Sequence, residues 1–252
     1  MTDFSATPSA SGHGTFSVGG VLKRSFSTFF ANIVPFGVLA LILYLPTLLY
    51  GFVTFNDLGA EFSVNDVIVN LLSFVLTYIL VGAVVYGTVQ HLTGQKATIG
   101  DIVSRGLATI LPVLVIAILL TIVIGVGFAL LVVPGVFLMV VYAVVIPAAV
   151  VERPGIVGSF KRSWDLTKGY RWPVLGVLLV LMVILVVVSL LIGGIAGFLA
   201  FGMGDFTALI VVNYVLSAVS GALLSVVVAV LYHDLRVAKE GVSTAQIAAV
   251  FD

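Results

Sequence analysis

Few residues in this chain could carry acid–base, nucleophilic or metal chemistry, and they are not grouped. The 252 residues include three histidines, His13, His91 and His233, and no cysteine. No histidine has a second ligand at the spacing of a metal site. No nucleophile motif, phosphate loop or dinucleotide fingerprint occurs. The sequence therefore predicts no catalytic residue, no metal ligand, no cofactor and no enzymatic activity, with the histidines at solvated or interfacial positions.

The composition indicates that water is not the main solvent of this polypeptide. Hydrophobic residues make up 61% of the chain, charged residues make up 9%, and the mean hydropathy is +1.29. A soluble domain carries about 25% charged residues. The formal net charge is zero, so no global basic field points to a nucleic-acid partner. The sequence predicts an all-α, polytopic membrane protein.

Six uncharged apolar stretches have the length of transmembrane helices, which need about 20 residues to cross a hydrocarbon layer of about 30 Å. They cover residues 33–55, 67–90, 107–132, 134–151, 174–201 and 206–232. The third and fourth stretches form one charge-free run, in which Pro134-Gly135 is the best turn signal. The fourth stretch is short and contains Pro147, so a full crossing and a re-entrant segment both stay open.

Loop charge predicts the orientation of these spans. With six crossings, all eleven Lys and Arg residues lie on one side, and the other side has Asp57, Glu61, Asp66 and Asp205 without any basic residue. Cytoplasmic loops carry the Lys/Arg excess, so both termini are expected in the cytoplasm. The predicted domains are a disordered cytoplasmic tail (1–15), a transmembrane domain (16–232) and a cytoplasmic C-terminal tail with a short amphipathic helix (233–252).

An internal repeat groups the spans into three modules, each an amphipathic interfacial helix followed by a transmembrane hairpin. A shift of 138 residues aligns Val18, Leu22, Lys23, Arg24, Ser25, Phe26 and Pro35 with Ile156, Phe160, Lys161, Arg162, Ser163, Trp164 and Pro173. A weaker copy contains Ile99, Val103, Arg105, Leu107 and Pro112. At helical pitch, Ile156, Phe160, Trp164 and Thr167 share one face, which is typical of a helix lying in the membrane plane.

An ordered set of motifs resembles a known family. The motifs are VIPAAVVE at 145–152, SWDLTKG at 163–169, YHDLR at 232–236 and KEG at 239–241. Together they look like the membrane domain fused to some glycerophosphodiester phosphodiesterases and the related YciC-like bacterial membrane proteins, over roughly residues 16–241. The resemblance implies a bacterial inner (cytoplasmic) membrane protein. A separate soluble domain does the hydrolysis in the fused relatives, and its His and carboxylate motifs are absent here, so phosphodiesterase activity is not expected.

Two sets of residues are candidates for contacts with lipid or between helices. The lipid-headgroup candidates are Lys23, Arg24, Arg105, Lys161, Arg162, Trp164, Lys168, Arg171 and Arg236, since basic residues near an anionic membrane surface attract its headgroups. The helix-packing candidates are Gly193, Gly197, Ser217, Gly221 and Ser225, either within the chain or at a homodimer seam. Asn70, Ser73 and Thr77 share one face of the second span and suit either interhelical hydrogen bonds or a polar path.

Absent catalytic groups, interfacial helices and small-residue faces favour a non-enzymatic envelope protein that organises lipids or partner proteins. The expected partners are membrane lipids, with other membrane proteins as an open alternative and no nucleic acid. The oligomeric state stays open. The repeats also suit a transporter or channel for a lipid or small apolar solute, although no ionisable residue lies deep in a span to relay protons. A membrane-embedded enzyme is the least favoured hypothesis.

Overall fold

A computed structural model of the chain describes residues 16–54, 63–95 and 98–241, and within these ranges it is helical without strands. Three short amphipathic helices are α1 (Val18–Ala31), α4 (Ile99–Ala108) and α8 (Gly155–Thr167). The longer apolar elements are α2 (Ile33–Thr54), α3 (Val64–Leu92), α5 (Ile110–Leu130), α6 (Val132–Val141) with α7 (Val145–Val151), α9 (Arg171–Met203) and α10 (Thr207–Glu240). The tail predicted over residues 1–15 lies outside the described residues.

The predicted all-α architecture is confirmed. Six segments are long and apolar enough to cross a membrane, and α6 and α7 together form the fourth. Each amphipathic helix directly precedes one helical hairpin: α1 precedes α2 and α3, α4 precedes α5 to α7, and α8 precedes α9 and α10. Many large apolar side chains stay exposed along these segments, as expected where lipid tails replace water. The chain is a multi-pass membrane protein.

Local hydrogen bonds define where several helices begin and end. Ser63 and Asp66 form a reciprocal capping box at the start of α3, and Thr98 and Asp101 form the same motif at the start of α4. Each box satisfies backbone N–H groups that have no partner within the helix. Helix α10 ends at Gly241, whose φ of 61° is the left-handed conformation that glycine adopts without strain.

The turn between the third and fourth spans differs from the prediction. The chain turns at Leu131, which is extended with φ −165° and ψ 158°, and Pro134 lies in the first turn of α6. Proline is tolerated there because the first N–H groups of a helix need no internal partner. Gly135 lies against Gly127 and the Phe128 ring of α5 instead of forming the turn.

The fourth span is interrupted by turn residues 142–144, between α6 and α7. An interrupted helix leaves backbone carbonyls without partners. The carbonyl of Val141 accepts hydrogen bonds from the hydroxyls of Ser163 (2.8 Å) and Thr167 (3.2 Å) of α8. The face of α8 that turns toward the bundle therefore carries these hydroxyls, while Trp164, predicted to anchor in the headgroup layer, is 39% exposed.

The core lies toward one end of the bundle, and α10 is its central helix. Helix α10 contacts α1, α2, α3, α7, α8 and α9. Its buried residues run from Ala218 to Leu235, and those of α3 run from Leu80 to Gln90. This is also the end where α1, α4, α8 and the last turns of α10 lie. We call it the basic end, because these elements and their flanks carry the described Lys and Arg residues. Residues 233–240, predicted as part of a separate tail, continue α10 as far as Glu240.

Candidate functional site

A cluster of opposite charges ties α7, α8 and α10 together at the basic end. Glu152, the residue after α7, accepts hydrogen bonds from Arg162 Nε (2.9 Å) and from the Tyr232 hydroxyl (2.6 Å). Arg162 also contacts Glu240 at 2.5 Å, and Arg236 Nε donates to Glu240 at 3.1 Å. Burial lowers the pKa of Arg162, but hydrogen bonds to Glu240 and Glu152 outweigh it and raise that pKa above its usual value. The cluster therefore joins α7, α8 and α10 through ion pairs and hydrogen bonds.

A second ion pair fastens α1 to α10. Arg24 contacts Asp234 at 2.5 Å, and Asp234 is 8% exposed. The other carboxylate oxygen of Asp234 lies 3.3 Å from Nδ1 of His233, while Nε2 of His233 is buried without a hydrogen-bond partner among the described residues. The solvated position predicted for His233 is therefore wrong, because α10 continues past it into the packed basic end, while its interfacial depth stays a prediction.

The arginines of these ion pairs are related by the internal repeat. Arg24 and Arg162 occupy equivalent positions, and each contacts a carboxylate of α10, Asp234 or Glu240. Arg105 holds the same position in the middle module, but it has no ion pair with any carboxylate in the described part of the chain. Its guanidinium instead lies over the Tyr86 ring, 5.6 Å from the ring centroid. Two of the three repeated arginines contact a carboxylate of α10, whereas Arg105 has only a longer-range interaction with the Asp101 carboxylate of its own helix.

Arg105 lines a small pocket, which we call the arginine pocket. Its volume is about 120 Å³, and its lining includes Tyr86, Arg105, Thr109, Val150, Glu152 and Arg153. Arg153 is exposed and likewise has no ion pair among the described residues. The carboxylate of Glu152 already binds Arg162 and Tyr232, so it does not neutralise both arginines. The pocket presents two cations to a space of a few water molecules.

Arg153 is a site residue that sequence reasoning missed. Its φ of 51° makes it the non-glycine residue with a positive φ among those described, a conformation that costs of order 1–3 kcal/mol. It is followed by Pro154, which also disfavours the α conformation. The available sequence signal was Arg-Pro-Gly directly after a span. Proline restricts the backbone of the residue before it, and strained non-glycine residues concentrate at functional sites.

The remaining lipid-headgroup candidates fall into two groups. Arg171 lies over the rings of Phe137 (4.8 Å) and Trp164 (4.7 Å), which links α9, α6 and α8 by cation–π contacts. Arg236 belongs to the charge cluster with Glu240. In contrast, Lys23, Lys161 and Lys168 are exposed on the amphipathic helices and their flanks.

The helix-packing candidates lie in different environments. A Cβ on Gly221 would be 2.7 Å from the Tyr44 hydroxyl, and Ser225 is buried with its hydroxyl bonded to the Gly221 carbonyl at 2.7 Å. Ser217 lies on an exposed part of α10. A Cβ on Gly193 would meet no atom within 4 Å, and one on Gly197 only Leu209, at 4.0 Å. The close helix packing predicted at Gly193 is thus not seen among the described residues, although Ala196 and Ala200 of the same helix are buried.

Two of the cavities along the membrane-spanning part of the bundle adjoin α10. The first, which we call the polar cleft, has a volume of about 460 Å³ between α2 and α10 and is lined by Tyr44, Thr47, Leu48, Gly51, Thr54, Leu209, Ile210, Asn213, Tyr214 and Ser217. The second, the central chamber, has a volume of about 260 Å³ and adjoins the interruption of the fourth span. Of the predicted polar face on α3, Thr77 lines the chamber, Ser73 lies 3.2 Å from the Thr47 hydroxyl, and Asn70 donates to the Asp66 carbonyl at 2.7 Å.

Within the described ranges, no group of His, Asp and Glu side chains could hold a metal ion. A comparison with family models matched residues 10–235 to a family described as a domain of unknown function (DUF7847). Neither the curated proteins nor the solved structures gave a match. The match covers all six spans and the arginine pocket.

Proposed function

Since this chain belongs to the family described as a domain of unknown function (DUF7847), we propose a function from its geometry. It is a multi-pass protein without catalytic activity that binds anionic lipid headgroups at its basic end. In this way it organises lipid in the cytoplasmic leaflet of a bacterial inner membrane. Both termini lie in the cytoplasm.

The observation that carries this proposal is that the arginine of the middle module contacts no carboxylate of another helix among the described residues. Arg24 and Arg162 each contact a carboxylate of α10, whereas the equivalent Arg105 faces the arginine pocket without one. The planar guanidinium group of arginine can donate two parallel hydrogen bonds to the oxygens of either a carboxylate or a phosphate. A lipid phosphate would thus take the place in the middle module that Asp234 and Glu240 take in the other two.

The position of the pocket suits a headgroup. It lies where amphipathic α4 meets the end of α3 and the end of the fourth span, and such helices lie at headgroup depth. The exposed Lys23, Lys161 and Lys168 at the same end add a general attraction to an anionic leaflet, of about 1 kcal/mol each. We therefore expect one specific site within a broadly attractive surface.

The test compares phosphatidylglycerol with phosphatidylcholine binding to the delipidated protein by native mass spectrometry. We expect wild-type protein to retain one phosphatidylglycerol more tightly than any phosphatidylcholine. The double variant Arg105→Gln/Arg153→Gln should weaken that binding about 30-fold, because two cations near a phosphate contribute about 2 kcal/mol.

The matched control is Lys161→Gln/Lys168→Gln, which removes the same charge from exposed positions at the same end. It should leave the tight phosphatidylglycerol site near its wild-type affinity. Equal losses in the two double variants would mean that only the general charge attracts lipid, and the proposal of a specific site would fail. Excess inorganic phosphate distinguishes a lipid headgroup from a free anion. It should displace little phosphatidylglycerol if the pocket binds the lipid, and most of it if the pocket is a site for free phosphate.

A transporter or channel for a lipid or small apolar solute is the second candidate, and the two cavities favour it. Transport requires a path that opens to both sides of the membrane. The described basic end is closely packed, because the buried residues of α10 lie between Ala218 and Leu235. Binding without transport is therefore the function that we propose.

A further inference from the structure

The polar cleft contains hydrogen-bonding groups that the protein itself does not satisfy. The hydroxyls of Tyr44 and Ser217 have no hydrogen-bond partner among the described residues. Asn213 uses its Nδ2 on the Leu209 carbonyl at 2.9 Å, which leaves its carbonyl oxygen free to accept. Unsatisfied polar groups are costly within a membrane. The occupant of the cleft should therefore offer both donors and acceptors.

The lining also limits the charge and size of the occupant. No ionisable Asp, Glu, Lys, Arg or His side chain lines the described cleft, and its walls include the apolar Leu48, Leu209 and Ile210. A charged head would stay unpaired in an apolar environment, which disfavours anionic and cationic ligands. A volume of about 460 Å³ lies in the range of small-molecule sites, about 300–1,000 Å³. The chemistry fits a neutral molecule with a hydroxylated head and an apolar chain.

The cleft extends from the middle of the membrane-spanning helices toward one end of the bundle. The cleft reaches from Tyr44, in the middle of α2, to Thr54 and Leu209, near the end of the bundle opposite the basic end. A molecule from that leaflet would place its head among the polar groups and direct its chain toward the middle of the membrane. There the largely apolar central chamber begins, lined by Leu120, Ile146 and Leu224.

Tyr44 lies at the boundary between the two cavities and lines both. Gly221 lines the chamber next to it, and a Cβ at this position would be 2.7 Å from the Tyr44 hydroxyl. The absence of a side chain at Gly221 thus leaves room for the Tyr44 ring. Any larger residue there would push the ring toward the cleft.

We propose that the polar cleft binds a neutral, hydroxylated amphiphile of the acylglycerol class. Its head lies beside Tyr44, Asn213 and Ser217, and its chain passes Tyr44 toward the central chamber. This site is separate from the arginine pocket in position, in charge and in the membrane leaflet from which it is filled. Neither proposal depends on the other.

The test measures binding of radiolabelled monooleoylglycerol to purified full-length protein in detergent, with monooleoyl phosphatidylglycerol as the anionic comparator. We expect saturable binding of monooleoylglycerol, and the unlabelled anionic comparator should displace it at least tenfold less effectively than unlabelled monooleoylglycerol does. The variant Asn213→Leu/Ser217→Ala should weaken monooleoylglycerol binding at least tenfold. The control Thr121→Val removes a hydroxyl that lies outside the cleft and bonds to the Ala117 carbonyl, and it should bind as wild type does.

A second measurement keeps the proposal testable if the double variant does not fold. Wild-type protein is labelled with a monoacylglycerol that carries a photoreactive diazirine in its chain, and the cross-linked peptides are mapped. Cross-links in α2 and α10 near Tyr44 and Gly221 support the proposal. Cross-links spread over the lipid-exposed surface of α9, non-saturable binding, or equal displacement of monooleoylglycerol by the anionic comparator would overturn it.

Discussion

At the scale of single residues, charged side chains that form ion pairs within the protein stabilise the fold, whereas those without such partners can bind a ligand. Glu152 accepts hydrogen bonds from Arg162 and Tyr232, and both donors come from other helices. The carboxylate is largely shielded from solvent, with 18% of its side-chain surface exposed. Removing one partner of a shielded pair leaves the other without compensation. The charge cluster therefore has a larger structural effect than exposed charges at the same end.

We predict that Glu152→Gln destabilises the protein by about 2 kcal/mol, since hydrogen bonds to charged groups contribute about 1.5–3 kcal/mol each. Reversible unfolding in detergent micelles, followed by fluorescence, measures the change. Asp165→Asn is the matched control, because Asp165 is exposed on α8 and only its backbone carbonyl accepts a bond, from Lys239. Similar effects of the two substitutions would contradict the structural role of the cluster.

At the scale of elements, the hairpin of the third and fourth spans depends on a close contact between two glycines. A Cβ on Gly127 would be 3.0 Å from Gly135 Cα and 3.3 Å from Gly135 N, which are backbone atoms that cannot rotate away. Close backbone approach at small residues is a main source of helix association in membranes. The contact also fits the sharp turn at Leu131, four residues after Gly127.

We predict that Gly127→Ala destabilises this hairpin by about 1–3 kcal/mol, the usual effect of overpacking. Gly125→Ala lies in the same helix with no atom within 4 Å of the added Cβ, so it should be neutral or slightly stabilising, as Ala is favoured over Gly in helices. Thermal unfolding of the two variants in one detergent gives the comparison. Equal stability would show that α5 and α6 separate in the membrane.

At the scale of the whole molecule, the asymmetry of charge is the strongest feature. The described basic residues lie at the end where α1, α4, α8 and the last turns of α10 meet, while Asp205 lies in the connection between α9 and α10 at the opposite end. The Lys/Arg excess predicts that the basic end faces the cytoplasm. The orientation stays a prediction of the loop charges.

Because the chain has no native cysteine, single-cysteine variants report the orientation directly. We predict that a membrane-impermeant maleimide labels Asp205→Cys in intact cells. It should label Lys161→Cys only after the membrane is permeabilised. The reverse pattern would place the arginine pocket on the outer side and exclude binding to the cytoplasmic leaflet.

The sequence alone predicted that lipid surrounds most of the chain, where the six spans lie and how they group into three modules. Apolar length is a local property that each segment shows by itself, so the stretches 33–55 and 107–132 were predicted close to the observed Ile33–Thr54 and Ile110–Leu130. The repeat was visible because Arg24 and Arg162 lie in the same local pattern. The end of α10 was less visible, because burial against other helices keeps its polar last turns helical.

Only the tertiary structure decided which of these local patterns have partners. Arg24, Arg105 and Arg162 look equivalent in sequence, but two of them meet carboxylates of α10 that follow them by 78 residues or more, and one meets none. The interruption of the fourth span depends on hydroxyls of α8. The polar cleft depends on how α2 and α10 pack against each other. The physical reason is that solvent preference belongs to each residue, whereas ion pairs, satisfied carbonyls and cavities belong to groups that only folding brings together.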